Sequence, residues 1–372
     1  MNNLDILIIG GGIGGLASAI ALRRDGHVVT VIERDPKWSV YGVGIIQQAN
    51  VIRAMKQLNL VDDYMAAGVP FNKVVIHAPD GTMVAQVPMP ELVEGYPASM
   101  GISRPALHKI LGDRTIASGA DVRLGVTATR IEDRGDDVRV AFSDGREEVF
   151  DIVVAADGVY SQTRGEVMPD EPGPEYTGQA VWRYNFPRPA DLDALHAYNG
   201  PIGAGLVPIN SELMYLYLTT PEPDKPWYPE ETLAEAMREK MRKHTAQAIR
   251  EMAEDVTDNE GVVYRPLEGM MLRGDWHVGR VVLLGDAVHA TTPHLGQGAG
   301  LAIEDSIVLA EEIVRHDAPE AAFKAYRDRR FERCRYIVDK SLDICRGQLG
   351  EGPPVDNAEA TAEMFRLVAE PI

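Results

Sequence analysis

Leu4-Asp5-Ile6-Leu7-Ile8-Ile9-Gly10-Gly11-Gly12-Ile13-Gly14-Gly15 is the stretch on which the fold turns. An apolar run rich in β-branched residues that stops at glycine suits a parallel strand buried on both faces. Gly14 opens a helix of small and apolar residues that runs to Asp25 and is broken by Gly26-His27; Val28 to Ile32 is a second buried strand. Right-handed crossover sets the two strands side by side. G-x-G-x-x-G sits at the corner between strand and helix, and Glu33 ends the next strand about 20 residues on, as a dinucleotide site requires. Gly10 permits the tight turn, Gly12 lets a pyrophosphate approach the backbone, and Gly15 lets the helix pack on the sheet. The helix N-terminus supplies N–H donors. A carboxylate at Glu33 accepts from a ribose 2′-OH and repels a 2′-phosphate, so the bound dinucleotide is FAD or NAD rather than NADP.

Outward from this start, two more segments read as buried strands that run into motifs. Phe150 to Ala156 is apolar throughout and runs into Asp157-Gly158-Val159-Tyr160-Ser161-Gln162-Thr163-Arg164. Arg280 to Leu284 runs into Gly285-Asp286 and then Pro293-His294-Leu295-Gly296-Gln297-Gly298-Ala299-Gly300. Between them, Gly178 to Thr220 changes character to strands broken by Pro, Gly and Asn, the pattern of a separate antiparallel sheet. Ala49–Leu58, Pro105–Ser118, Ala299–Arg315 and a long Glu320–Leu349 segment read as helices, and Pro229–Glu254 as a charged helical segment. Asp121 to Arg146 has hairpin-like pieces, with Asp144-Gly145 as a turn. The acidic segment beyond Gly350 is expected to be loosely held.

Composition sets limits. The 372 residues carry a formal net charge of −19, which works against nucleic-acid binding and docking on anionic lipid. The only cysteines, Cys334 and Cys345, form neither a disulfide framework nor a metal-ligand spacing. No segment approaches the roughly 20 apolar residues of a membrane span, and the N-terminus lacks a signal-peptide pattern. A cytoplasmic enzyme is expected.

The three motifs, in this order over residues 4 to 345, resemble the class A flavoprotein monooxygenases, the group of the para-hydroxybenzoate, salicylate and 6-hydroxynicotinate hydroxylases. The resemblance implies an α/β fold: a Rossmann-like FAD-binding domain (1–70, 101–175, 271–350), an inserted antiparallel-sheet substrate domain (71–100, 176–270), a long C-terminal helix and a tail (351–372). It implies non-covalent FAD, with NADH or NADPH as a transient co-substrate, and O2. Oxygen adds to the reduced flavin, and the C4a-hydroperoxide transfers OH to a small electron-rich ring. Asp286 beside Gly285 would bond a ribityl hydroxyl. Gly298 and Ala299 would aim N–H groups at the flavin pyrimidine, and Pro293 would wall its reactive edge. Asp157, Gly158 and Arg164 would serve FAD and the passing nicotinamide. Arg104 matches an FAD-contacting arginine, and Arg34, Gly44, Gln48 and Val126 complete the implied cofactor set. A homodimer is common among such relatives.

The chain departs from the family pattern in Gly42 to Asn50: Ala49 replaces a proline, and Ile46 stands where some pyridine hydroxylases carry an acid/base histidine. Candidates for the substrate pocket are Arg183, Tyr215 and Tyr217, the two tyrosines on one strand face, and His294 beside the flavin wall. Alternatives on the same fold are a flavin reductase or dehydrogenase, which would consume no oxygen, and a non-catalytic flavin-binding protein. Halogenases are set aside because their W-x-W-x-I-P signature is absent.

Overall fold

The computed structural model describes all 372 residues. The strand Asp5–Ile9 lies at the centre of a six-stranded sheet, pairing in parallel with Val28–Glu33 on one side and Ile152–Ala155 on the other. Asp121–Leu124 extends the first side in parallel; Val281–Leu283 and the antiparallel His277–Val278 extend the second. The chain therefore leaves the central strand in both directions, and ligands of such sheets sit at the carboxyl ends where the order reverses. The helix Ile13–Arg24 packs against the helix Gly298–Arg315. Their approach is close: Ser18 and Ser306 both donate to the Gly14 carbonyl, at 2.8 and 3.0 Å. A Cβ on Gly14 would lie 2.8 Å from Leu284 Cδ2, so this contact needs glycine.

The second sheet has seven strands in the order Val263–Gly269, Glu175–Pro187, Leu213–Pro221, Gly203–Pro208, Leu195–Tyr198, Lys73–His77 and Met83–Pro88. All neighbours are antiparallel except Leu195–Tyr198 with Lys73–His77. Alternation sorts its faces. Trp182, Leu216 and Leu218 point outward, into a core with Met237, Met241 and Ile249 of the helices Leu233–Arg242 and Gln247–Glu251. Arg183, Tyr215 and Tyr217 point the other way, toward the first sheet. A small antiparallel sheet, Ala128–Asp133, Val138–Phe142 and Glu147–Phe150, turns at Asp144-Gly145 and buries Val140, Phe142 and Phe150 against Leu7, Ile9 and Val153.

Three local expectations are corrected. Asp121–Leu124 is the edge of the parallel sheet, not part of a hairpin. The segment Pro229–Glu254 is broken near His244, whose Nδ1 accepts from the Ala246 N–H. The tail is not loose: Asn357–Ala369 is a helix capped by Asp356. It buries Ala360, Met364, Phe365 and Val368. Arg53 donates to the carbonyls of Val368 and Ala369, and Arg333 to those of Glu370 and Pro371. These guanidinium–carbonyl bonds satisfy groups a helix end leaves open. No helix is long and apolar enough to cross a membrane.

Candidate functional site

The carboxyl ends of the first sheet and the inner face of the second enclose one cavity of about 1310 Å³. Gly12 opens on it: a Cβ built there meets nothing within 4 Å, whereas one on Gly15 would collide with the Gly10 carbonyl. Gly10 itself has φ +108°. The following helix has no side-chain cap, so its first N–H groups face the cavity with positive potential. Glu33 lines the same wall, and its Oε2 accepts from the Gly11 N–H at 2.9 Å. The Gly11 carbonyl accepts from Trp38 Nε1 at 2.8 Å and from His108 Nε2 at 2.9 Å. A carbonyl only accepts, so His108 carries its proton on Nε2.

Opposite this loop, the carboxylate of Asp286 is open to the cavity. Burial by the surrounding protein raises its pKa, an effect that His289 and Arg104 oppose. It takes part in no hydrogen bond within the chain. A carboxylate held in this way favours a hydroxyl donor. Gly298 and Ala299 begin the helix Gly298–Arg315, which also lacks a side-chain cap, and Pro293 lines the wall before it. These donors, the Gly12 approach and Asp286 fit a dinucleotide with phosphates at one end and a polyol in the middle.

The third wall is the inner face of the seven-stranded sheet. Arg183 sits directly across from Tyr217, and Asn185 from Tyr215. Neither Arg183 nor Arg104 has a carboxylate partner. Burial, with repulsion from Arg104, brings Arg183 down to about 10. Burial likewise lowers Arg104, opposed by Tyr215 and Asp286. Burial holds Tyr215 up near 12 and drives Tyr217 higher still, so both phenols stay protonated donors. Each tyrosine rests on a glycine: a Cβ on Gly44 would fall within the Tyr215 ring, and one on Gly205 within the Tyr217 ring.

With that geometry in place, comparison with known proteins is decisive. The FAD binding domain family matches residues 3–341. The chain belongs to that family. Among its relatives, a putative FAD-dependent monooxygenase of Bacillus subtilis, YetM, is 31% identical, over 98% of this chain and 99% of its own. The 6-hydroxynicotinate 3-monooxygenase of Pseudomonas fluorescens is also 31% identical, covering 94% and 93%. Among solved structures, Klebsiella pneumoniae HpxO with FAD and uric acid superposes with TM-score 0.83 at 26% identity, covering 98% of this chain and 92% of that one.

Within this FAD-binding family frame, the residues expected at the cofactor divide. Gly10, Gly14 and Gly15 shape the first turn and its packing, while Gly12, Glu33, Arg34, Arg104, Gly158, Gly285, Asp286, Pro293, Gly298 and Ala299 line the cavity or its turns. Val126 does not reach it; its side chain lies in the core under the small sheet, and its N–H donates to the Glu33 carbonyl. Asp157 and Arg164 are also turned away. The Asp157 carboxylate accepts from Ser161 Oγ and the Thr163 N–H. Arg164 is buried and donates to the carbonyls of Ala287 and Val159, at 2.9 and 3.0 Å. Asp157 therefore closes the second motif on itself and Arg164 ties it to the third, and neither presents its charge to the cavity. Gly44 lines the cavity, but its lack of a side chain serves Tyr215. Gln48 lines it too; its Nε2 donates to the Leu295 carbonyl and its Oε1 accepts from Gln297.

His294 lines the cavity with both ring nitrogens engaged. Nε2 meets Gln348 Oε1 at 3.1 Å and Nδ1 meets Thr292 Oγ1 at 2.9 Å. Burial, against the Gln348 bond, brings it down to about 4, so it is a neutral wall residue with no lone pair to spare. The sequence reading missed the glycine seats and the contribution of the tail helix, whose Met364 and Phe365 line the cavity. The tail's signal was present: Ala360, Met364, Phe365 and Val368 repeat at helical spacing.

Proposed function

We propose that the protein is an NAD(P)H-dependent FAD monooxygenase that places one oxygen atom from O2 on an electron-rich aromatic or N-heteroaromatic ring. The observation that carries this reading is the juxtaposition, in one cavity, of a dinucleotide cradle ending at Asp286 and Gly298 with the unpaired Arg183 and the phenols of Tyr215 and Tyr217. Bound FAD supplies the electron transfer and the oxygen chemistry. The chain's own residues bind, orient and enclose.

Gly12 and the uncapped helix start hold phosphate, and Asp286 accepts a hydroxyl. The helix start at Gly298 stabilises negative charge on the adjacent ring edge. Across from it, Arg183 and Arg104 place two cations with no carboxylate in direct ion-pair contact, which attracts an anionic oxygen. A substrate phenol or lactam hydroxyl held there ionises more readily, and its ring carbon becomes more nucleophilic. This removes the need for a protein base. The cavity's histidines, His108 and His294, are committed to wall contacts, and Ile46 lines the position where some relatives carry one. The substrates named for relatives, 6-hydroxynicotinate and uric acid, are small rings with ionisable oxygens and suit this chemistry. Both cysteines are free and buried, which supports a reducing, cytoplasmic setting.

A panel of phenols and hydroxypyridines, with NADH and NADPH oxidation followed beside peroxide, tests the reading. Arg183→Met should keep its FAD yet lose about 10- to 100-fold in substrate-stimulated turnover, the worth of a charge-assisted hydrogen bond. Its pH–rate profile should move up, because the substrate must then ionise unaided. Unchanged turnover and an unmoved profile would place the ring elsewhere.

A further inference from the structure

The cavity extends well past the charged residues. On the inner face of the seven-stranded sheet, one row of cross-strand neighbours runs Arg183, Tyr217, Gly205, Ala197, Ile76. The adjacent row ends in Leu195, Val74 and Val87. The first row passes from an ionic and a phenolic group through glycine to hydrocarbon, and the second from Asn185 and the Tyr215 phenol to hydrocarbon. At a strand spacing of about 4.8 Å, the three steps from the Tyr217 strand to the Ile76 strand cover about 14 Å. The start of the tail helix is tied to this end: Asn357 Nδ2 donates to Asn199 Oδ1, just beyond Tyr198, at 3.3 Å, and Ala358 and Ala362 line the same cavity.

A small hydroxylated ring needs only the Arg183–Tyr217 end. Along Ala197, Ile76, Leu195, Val74 and Val87 water finds no side-chain partner, so hydrocarbon is the favoured occupant of that face. We infer that the substrate carries, on the ring that is hydroxylated, an apolar substituent several carbons long. It lies between the Leu195–Tyr198 and Lys73–His77 strands and the start of the tail helix, over Ala197, Ile76 and Val74. The inference rests on the hydroxylase reading for the ring and on the sheet face for the chain. It makes the tail helix a specificity element, since it forms one side of the arm.

The test is a series of 4-hydroxyquinolines with methyl, propyl, pentyl, heptyl and nonyl groups at carbon 2. Each is titrated into the FAD-loaded protein and read by the change in flavin absorbance and fluorescence, which requires no turnover. The dissociation constant should fall about fourfold per added methylene until the arm is full. Ala197→Phe, which puts a ring into the arm, should flatten that dependence in protein that still carries FAD. If the phenylalanine variant does not fold, the wild-type series alone decides. Affinity that is flat or weakens with length, or failure of every member to bind, overturns the inference. Turnover reports the other reading separately. Chain-dependent binding without faster NAD(P)H oxidation keeps the arm and removes the hydroxylase assignment; hydroxylation of small rings with no chain effect does the reverse.

Discussion

Asp286→Ala should yield folded protein that purifies nearly colourless, with FAD affinity lowered about 10- to 100-fold, the loss expected for a charged acceptor facing a hydroxyl. The carboxylate opens on the cavity with no hydrogen-bond partner in the chain, and the surrounding protein raises its pKa. A hydroxyl donor bound there meets a negative charge already in place. Two measurements separate this from simple damage. The flavin-to-protein absorbance ratio should collapse, while the thermal midpoint of FAD-stripped Asp286→Ala should equal or exceed that of FAD-stripped wild type. Asp286→Asn, which keeps an acceptor oxygen, should recover part of the occupancy. Full flavin content in the alanine variant would remove Asp286 from the cofactor site.

Arg330→Met should cost about 3–5 kcal/mol, the usual price of leaving buried carboxylates without their cation. Arg330 is 1% exposed. It lies 2.8 Å from a Glu304 oxygen as an ion pair and donates to Asp305 at 2.7 Å, two carboxylates with no exposure at all. His289 lies 2.6 Å from the other oxygen of Asp305. Cys334 completes a group whose ligand atoms fall within 4.8 Å of one another, but the guanidinium already supplies the positive charge there. The thermal midpoint should fall by roughly 5–10 °C, with FAD binding impaired only through folding. Burial acts to raise Asp305, yet His289 and Arg330 hold it down to about 2 from the usual 3.8. A depressed carboxyl contributes stability above its unfolded value and loses it as pH falls through the folded one. Wild type should therefore lose on the order of 2 kcal/mol between about pH 4 and pH 2 from this group. Arg330→Met should lose less over the same window. Equal acid sensitivity in the two proteins would mean that Arg330 does not hold Asp305 ionised.

The dinucleotide half was legible because each of its signals is local. A buried strand, a glycine corner and an acid at the end of the next strand lie within thirty-odd residues, and the Asp-Gly and Gly-Asp motifs each follow a strand of the same sheet. What escaped depends on distant partners. Gly205 looks like any strand glycine until Tyr217, across the ladder, is seen to occupy its missing side chain. Asp157 and Arg164 carry charges in a recognised motif, but only the fold shows those charges spent on Ser161, Thr163, Ala287 and Val159. The acidic tail concealed its apolar repeat, and its anchoring by Arg53, Arg329 and Arg333 links residues hundreds of positions apart or on another helix. The facing of Tyr215 and Tyr217 toward one side followed from alternation; which side was inward required the second sheet.

The most direct test of the account is oxygen-isotope labelling. The FAD-loaded protein would be given NADH or NADPH, the panel compound that most accelerates its oxidation, and an atmosphere of ¹⁸O2 over ordinary water. Mass spectrometry should find one ¹⁸O atom in the ring-hydroxylated product for each nicotinamide oxidised, less the fraction recovered as peroxide. A product whose added oxygen comes from water, or nicotinamide oxidation that yields peroxide alone for every aromatic tried, would contradict a monooxygenase.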